Sequence, residues 1–124
     1  MSGRRSRSIG QRGEREALRK LGEELGVELR RNLQQTRDGG ADCLAVKGFV
    51  IEVKWVAAMA RPTWWRQVLR ACEHHAGEPM VLWKDRRVRG APWMALIHTQ
   101  DGQYREGTLR EAAQVIRDKW LRWP

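Results

Sequence analysis

Three charged side chains interrupt the most apolar stretch of the chain, residues 42–54 (DCLAVKGFVIEVK): Asp42 at its entrance, and Glu52 and Lys54 near its end. Charges in so apolar a run are costly unless they pair or bind something. Alternate residues of a strand share a face, so Glu52 and Lys54 point the same way, about 6.5 Å apart along the chain. Two carboxylates and a lysine gathered at the end of a hairpin have the make-up of a site for metal-dependent phosphodiester hydrolysis. Carboxylate oxygens hold a hard divalent cation such as Mg²⁺, with Mn²⁺ as a substitute, and the main-chain carbonyl of Val53 is a further oxygen donor. The lysine steadies an attacking water or the charge on the phosphate.

The elements that must position these groups are a strand, a turn at Lys47-Gly48 and a second strand. A two-residue turn pairs Val46 with Phe49 and turns Asp42 away from Glu52 and Lys54. A three-residue connection, Lys47-Gly48-Phe49 with Gly48 left-handed, pairs Val46 with Val50 and brings all three groups to one face. The catalytic reading therefore expects the longer connection, or a bulge with the same effect.

A helix over Ile9–Leu25 precedes this unit. Glu14, Leu18, Leu21 and Leu25 recur at helical spacing and form one stripe, while Arg15, Glu16, Arg19 and Glu23 fall outside it. Glu14 thus sits on the buried side, where a carboxylate needs a reason to be; a third acid directed at the hairpin site is one reason, and a helix N-terminus is another. Gly26 closes the helix. Val27–Asn32 reads as a short first strand, and residues 34–41 (QQTRDGGA) as a Gly-rich loop leading to Asp42.

Beyond the hairpin, Pro62-Thr63 opens a second helix expected to reach about Ala76, with Trp65, Leu69, Cys72 and Ala76 inward and Gln67 at the margin of the apolar arc. His74-His75 at its end are expected to be solvated. Met80–Trp83 and Trp93–His98 form a second hairpin whose tip carries Arg86, Arg87 and Arg89, suited to phosphate contact. After a polar loop with a short extended piece at Gln103–Arg105, Thr108 and Glu111 form a capping box at the head of the last helix.

Lys and Arg outnumber Asp and Glu by 24 to 15, a net charge of +9, which points to a polyanionic partner. Residues 1–8 (MSGRRSRS) read as a flexible basic arm, and residues 9–124 as a single domain. Cys43 and Cys72 lie too far apart in sequence for a zinc motif and are expected to be buried thiols in a reducing compartment. No stretch approaches the ~20 apolar residues of a membrane span, and no signal peptide is recognisable, so the expected location is the cytoplasm. Among the seven tryptophans, core and dimer-interface roles are favoured over stacking on unpaired bases.

Asp42 followed ten residues later by Glu52-Val53-Lys54 resembles the core motif of the PD-(D/E)xK nuclease superfamily, with Ala41 where the motif has proline. Gly13-Glu14-Arg15-Glu16-Ala17-Leu18, then Gly26-Val27 and Arg31, resemble the first helix and strand of archaeal-type Holliday junction resolvases. That resemblance implies an α/β, restriction-endonuclease-like core, with a mixed sheet of about five strands flanked by helices. It further implies Glu14 as a catalytic acid beside Asp42, Glu52 and Lys54, and a Mg²⁺ site of Asp42, Glu52, Val53 and Glu14. DNA contacts from Arg31, Thr36, Arg37 and Gln67 would join those of the basic turn. The family acts as a homodimer that nicks four-way junctions in pairs, in the host cytoplasm where a phage encodes it. Another nuclease of this fold and a non-catalytic DNA-binding protein are the alternatives; a substrate preference or an absence of metal-dependent cleavage would distinguish them.

Overall fold

The computed structural model of the chain describes residues 3–30 and 46–122. They form helix α1 (Gly3–Leu25), strand β1 (Phe49–Val56), helix α2 (Arg61–Ala71), strands β2 (Glu78–Asp85), β3 (Met94–His98) and β4 (Tyr104–Thr108), and helix α3 (Leu109–Arg122). The four strands make one mixed sheet in the order β1-β2-β3-β4. β1 and β2 run parallel, with Glu52 opposite Val81 and Lys54 opposite Trp83. β3 is antiparallel to both β2 and β4. Parallel neighbours need a crossover, and α2 supplies it.

Helices cover both faces of this α/β sheet. Phe49 and Ile51, with Val53 and Trp55 beside them, pack among Ala17, Leu18 and Leu21 of α1 and Ala112, Ala113 and Ile116 of α3. Val50 faces the other way, into Trp64, Trp65, Val68 and Ala71 of α2 together with Val81, Trp83 and Leu96. A strand buried on both faces is apolar at nearly every position rather than at alternate ones, which is how β1 reads (FVIEVKWV). α1 lies so close to β1 that a Cβ added at Gly13 would stand 2.9 Å from that of Trp55. From the middle of α3 the Arg117 guanidinium donates to the Glu24 carbonyl near the end of α1, tying the two helices together.

Several boundaries differ from those expected of the sequence. α1 begins at Gly3 and takes in most of the stretch read as a basic arm; arginine is a good helix former, and extending an existing helix costs far less than starting one. Val27–Arg30 is not a strand: Val27 is 44% exposed, and the segment turns away after Gly26, whose φ is +73°. α2 stops at Ala71, where the His74 and His75 amides both turn back to the Ala71 carbonyl and tighten the chain towards β2. The His75 ring is half-buried, with Nε2 enclosed and without a partner, whereas His74 is exposed as expected. The extended piece near Tyr104 is a full edge strand. The capping box forms as expected, with Thr108 Oγ1 accepting from the Glu111 amide and Glu111 Oε1 accepting from the Thr108 amide, each at 3.1 Å. No helix among the described residues is long and apolar enough to cross a membrane.

Candidate active site at the end of the parallel strands

β1 carries the two central residues of the sequence motif. Glu52 and Lys54 share a face with Val50, and that face is the one under α2. Glu52 is 6% exposed and Glu14 is 5% exposed; among the described residues they are the two buried charged side chains. Lys54 is half-buried. Glu14 projects from the buried side of α1, beside the Gly13–Trp55 contact, so its helix lies over the opposite face of β1. The helix that carries Glu14 and the Glu52 side chain are thus on opposite faces of β1. Val53 points into the α1 face, while its carbonyl belongs to the strand backbone.

The turn before β1 has Gly48 left-handed, at φ +86°, as expected. It closes with the Phe49 amide donating to the Val46 carbonyl at 3.0 Å. With Gly48 as the turn's positive-φ residue this is the pattern of a type II turn centred on Lys47-Gly48. This is the closure of the two-residue turn, so the longer connection expected from the sequence does not form, and the catalytic reading then requires a bulge in its place. Asp42 and its strand lie outside the described residues, as do Arg31, Thr36, Arg37 and Cys43.

The basic turn does come to this end of the sheet. The Arg86 amide donates to the Val56 carbonyl at 3.0 Å, two residues beyond Lys54. Arg86, Arg87 and Arg89 are all exposed. Arg87 is held by Asp85 through its amide, Nε and Nη2, and this bonding lowers the Asp85 pKa and raises that of Arg87. Arg12 adds a guanidinium 5.6 Å from the Trp55 ring centroid. Gln67 is exposed on α2, at the margin of its buried stripe. The C-terminal end of a parallel strand pair, with the following helix starting there, is where α/β sheets present their ligand sites.

Two groupings here were not legible from the motif. Glu16, outside the apolar stripe of α1, accepts from Lys84 Nζ at 2.7 Å and from Trp93 Nε1 at 3.0 Å. The bond from Lys84, chiefly, holds its carboxyl below the usual range against the opposing effect of burial. Arg61, the first residue of α2, lies over Trp83, which is the neighbour of Lys54 in the sheet. A helix that begins just past a strand bearing candidate catalytic groups was the available signal for Arg61.

Elsewhere, an open groove of about 640 Å³ runs along α1, lined by Leu18, Gly22, Val27 and Leu29 with Arg15 and Arg19 at its rim. It touches neither Glu52 nor Lys54. Cys72 is partly buried, which raises its thiol pKa. Among the described residues no three or more His, Cys, Asp or Glu side chains are grouped to hold a metal ion. No family model, no curated protein and no solved structure matches the chain.

Proposed function

We propose that this chain is a metal-dependent endonuclease that acts on branched DNA and, as a homodimer, resolves four-way junctions by paired phosphodiester hydrolysis. The observation that carries this reading is the identity of the buried charges. Glu14 and Glu52, two of the acids picked out in the sequence, are the charged residues buried among those described, and burying a carboxylate is costly enough to need a purpose. The shared face of Glu52 and Lys54, and the arginine turn fastened next to them, are further support. A mixed sheet between helices is compatible with the restriction-endonuclease-like core that the resemblance implies.

The donor chemistry suits Mg²⁺: the Asp42 and Glu52 carboxylates, the Val53 carbonyl and Glu14 are all hard oxygen donors. When bound, such an ion supplies an activated water and neutralises charge on the phosphate. Lys54 orients the attacking water and holds it against the phosphorus by its positive charge. Arg86, Arg87 and Arg89 draw the backbone of the DNA to this end of the sheet, contacts that orient the substrate without reading its sequence.

The experiment is cleavage of a labelled four-way junction and of linear duplex, with Mg²⁺ and with EDTA, by the wild type and by Asp42→Asn and Glu52→Gln. The expected result is symmetric nicks near the crossover that vanish with EDTA and in both variants. Equal cutting of duplex and junction would retain the nuclease and remove the resolvase; binding without cutting under any divalent metal would leave a DNA-binding protein.

A further inference from the structure

Three buried side-chain nitrogens among the described residues have no hydrogen-bond partner, and two of them, Arg61 Nε and Trp83 Nε1, belong to groups stacked on one another. The Arg61 guanidinium carbon stands 4.5 Å from the Trp83 ring centroid. Both nitrogens are donors. Buried donors are nearly always satisfied, so the Trp83 indole N–H, with no partner, and the Arg61 Nε, with no aligned one, together ask for a better acceptor.

Their position says which acceptor. Trp83 sits opposite Lys54 in the parallel pair and projects from the same face, with adjacent strands about 4.8 Å apart. Trp64 leans on the Trp83 ring at 6.0 Å, which fixes the indole. The first turn of α2 holds no acidic residue and its cap, Ala60, makes no side-chain bond, so the positive end of the helix dipole adds to the Arg61 charge. One anion is near: Glu106 Oε1 of the edge strand β4 lies 2.6 Å from Arg61 Nε. The contact is an ion pair without the alignment of a hydrogen bond, and the Glu106 side chain is 50% exposed.

We propose that Arg61 and Trp83 form a backbone-phosphate subsite next to Lys54, and that Glu106 occupies the Arg61 guanidinium until a DNA phosphate displaces it. The phosphate oxygen accepts from the guanidinium, whose shift off the ring uncovers the indole N–H for a second bond. This rests on the nucleic-acid reading above and adds a ligand, a donor and an internal competitor to it.

The test is DNA binding in EDTA, by anisotropy of a labelled four-way junction and a duplex. The wild type is compared with Glu106→Gln, Arg61→Ala, Arg61→Lys and Glu23→Gln. Glu23 pairs with Arg19 on the exposed side of α1, so its variant makes the same change in net charge away from the subsite. Glu106→Gln is expected to bind about 3- to 10-fold tighter and Glu23→Gln to change little. Arg61→Ala is expected to bind ~10-fold or more weaker, the size of a lost charged hydrogen bond, and Arg61→Lys to fall between. In a ¹H–¹⁵N spectrum the Trp83 indole signal, identified by its loss in Trp83→Phe, is expected to move downfield as DNA is added. Glu106→Gln leaves the Arg61–Trp83 stack in place, so its result does not hinge on the stability of the Arg61 variants. If the wild type binds DNA while Glu106→Gln matches Glu23→Gln and the indole signal stays put, the subsite is wrong and the DNA reading stands. A wild type that binds no DNA even at low salt overturns both.

Discussion

On the face of the sheet covered by α1 and α3, every side chain that β1 contributes is apolar: Phe49, Ile51, Val53 and Trp55. On the face covered by α2, β1 contributes Glu52 and Lys54 between Val50 and Val56. The first face is built for stability, with close-packed apolar groups of which the fully buried Phe49 and Ile51 each add about 1.5–3 kcal/mol by leaving water. The second face gives up part of that gain. There the strand itself buries a carboxylate, Glu52, whereas the buried acid of the first face, Glu14, comes from α1. The Trp83 indole N–H has no partner, Arg61 Nε has only a poorly aligned one, and three tryptophans (Trp64, Trp65 and Trp83) pack on this face. Departures of this kind concentrate where a protein does its chemistry.

The contrast is broken most directly by removing a charge from the α2 face. Glu52→Gln and Lys54→Ala are each expected to reduce Mg²⁺-dependent cleavage by roughly 10²–10³-fold or more, while the variants still bind DNA in EDTA and unfold cooperatively. A variant that has lost cleavage only in proportion to its unfolded fraction would show that these side chains are structural, and the two faces would then differ in nothing functional.

Truncation on the other face should do the reverse. Ile51→Ala is fully buried against α1 and α3 and is expected to cost about 2–5 kcal/mol in a urea titration. Its cleavage rate per folded molecule should stay within a few-fold of the wild type. A smaller effect of the same kind is expected at Gly13. An alanine there puts a methyl 2.9 Å from the Trp55 Cβ, and the α1–β1 seam must open, at a cost of about 1–3 kcal/mol. Because Glu14 is the next residue, Gly13→Ala also sharpens the comparison. A fall in cleavage beyond the loss of stability would tie Glu14 to the candidate site, and an unchanged rate per folded molecule would leave Glu14 to the α1 face alone.

Much of this division was legible in the sequence, and for a physical reason. Hydrophobic periodicity marks buried stripes, so Leu18 and Leu21 on α1, and Glu14 among them, could be placed before any coordinates. Gly48 announced its left-handed turn and Thr108 its capping box because both depend on near neighbours. What sequence spacing does not carry is contact between distant segments. Nothing local connects Glu16 to Lys84 and Trp93, or Arg61 to Trp83 and Glu106. Helix ends were misjudged at Gly3 and Ala71, where neither a strong cap nor a proline decides the matter and tertiary packing does. The register that would bring Asp42 to Glu52 depends on the strand before Val46, which lies outside the described residues.

The smallest expected effect concerns Glu16, an acid that fastens α1 to Lys84 of β2 and to Trp93. Its carboxylate accepts from Lys84 and Trp93 and is 31% exposed, so the solvent-screened contribution to stability is about 1 kcal/mol. Its folded pKa is lowered, chiefly by the Lys84 bond. A lowered carboxyl pKa gives stability that is present above the unfolded value, about 4.3–4.5, and is lost as pH falls through the folded one. Glu16→Gln should therefore be less stable than the wild type in urea at pH 7, and the gap should narrow as the pH falls below about 4. A gap that stays constant across that range would mean that the side chain acts by filling space and not by charge. In that case the Glu16 charge adds nothing to the hold of α1 on the sheet, and the apolar stripe of α1 carries that seam.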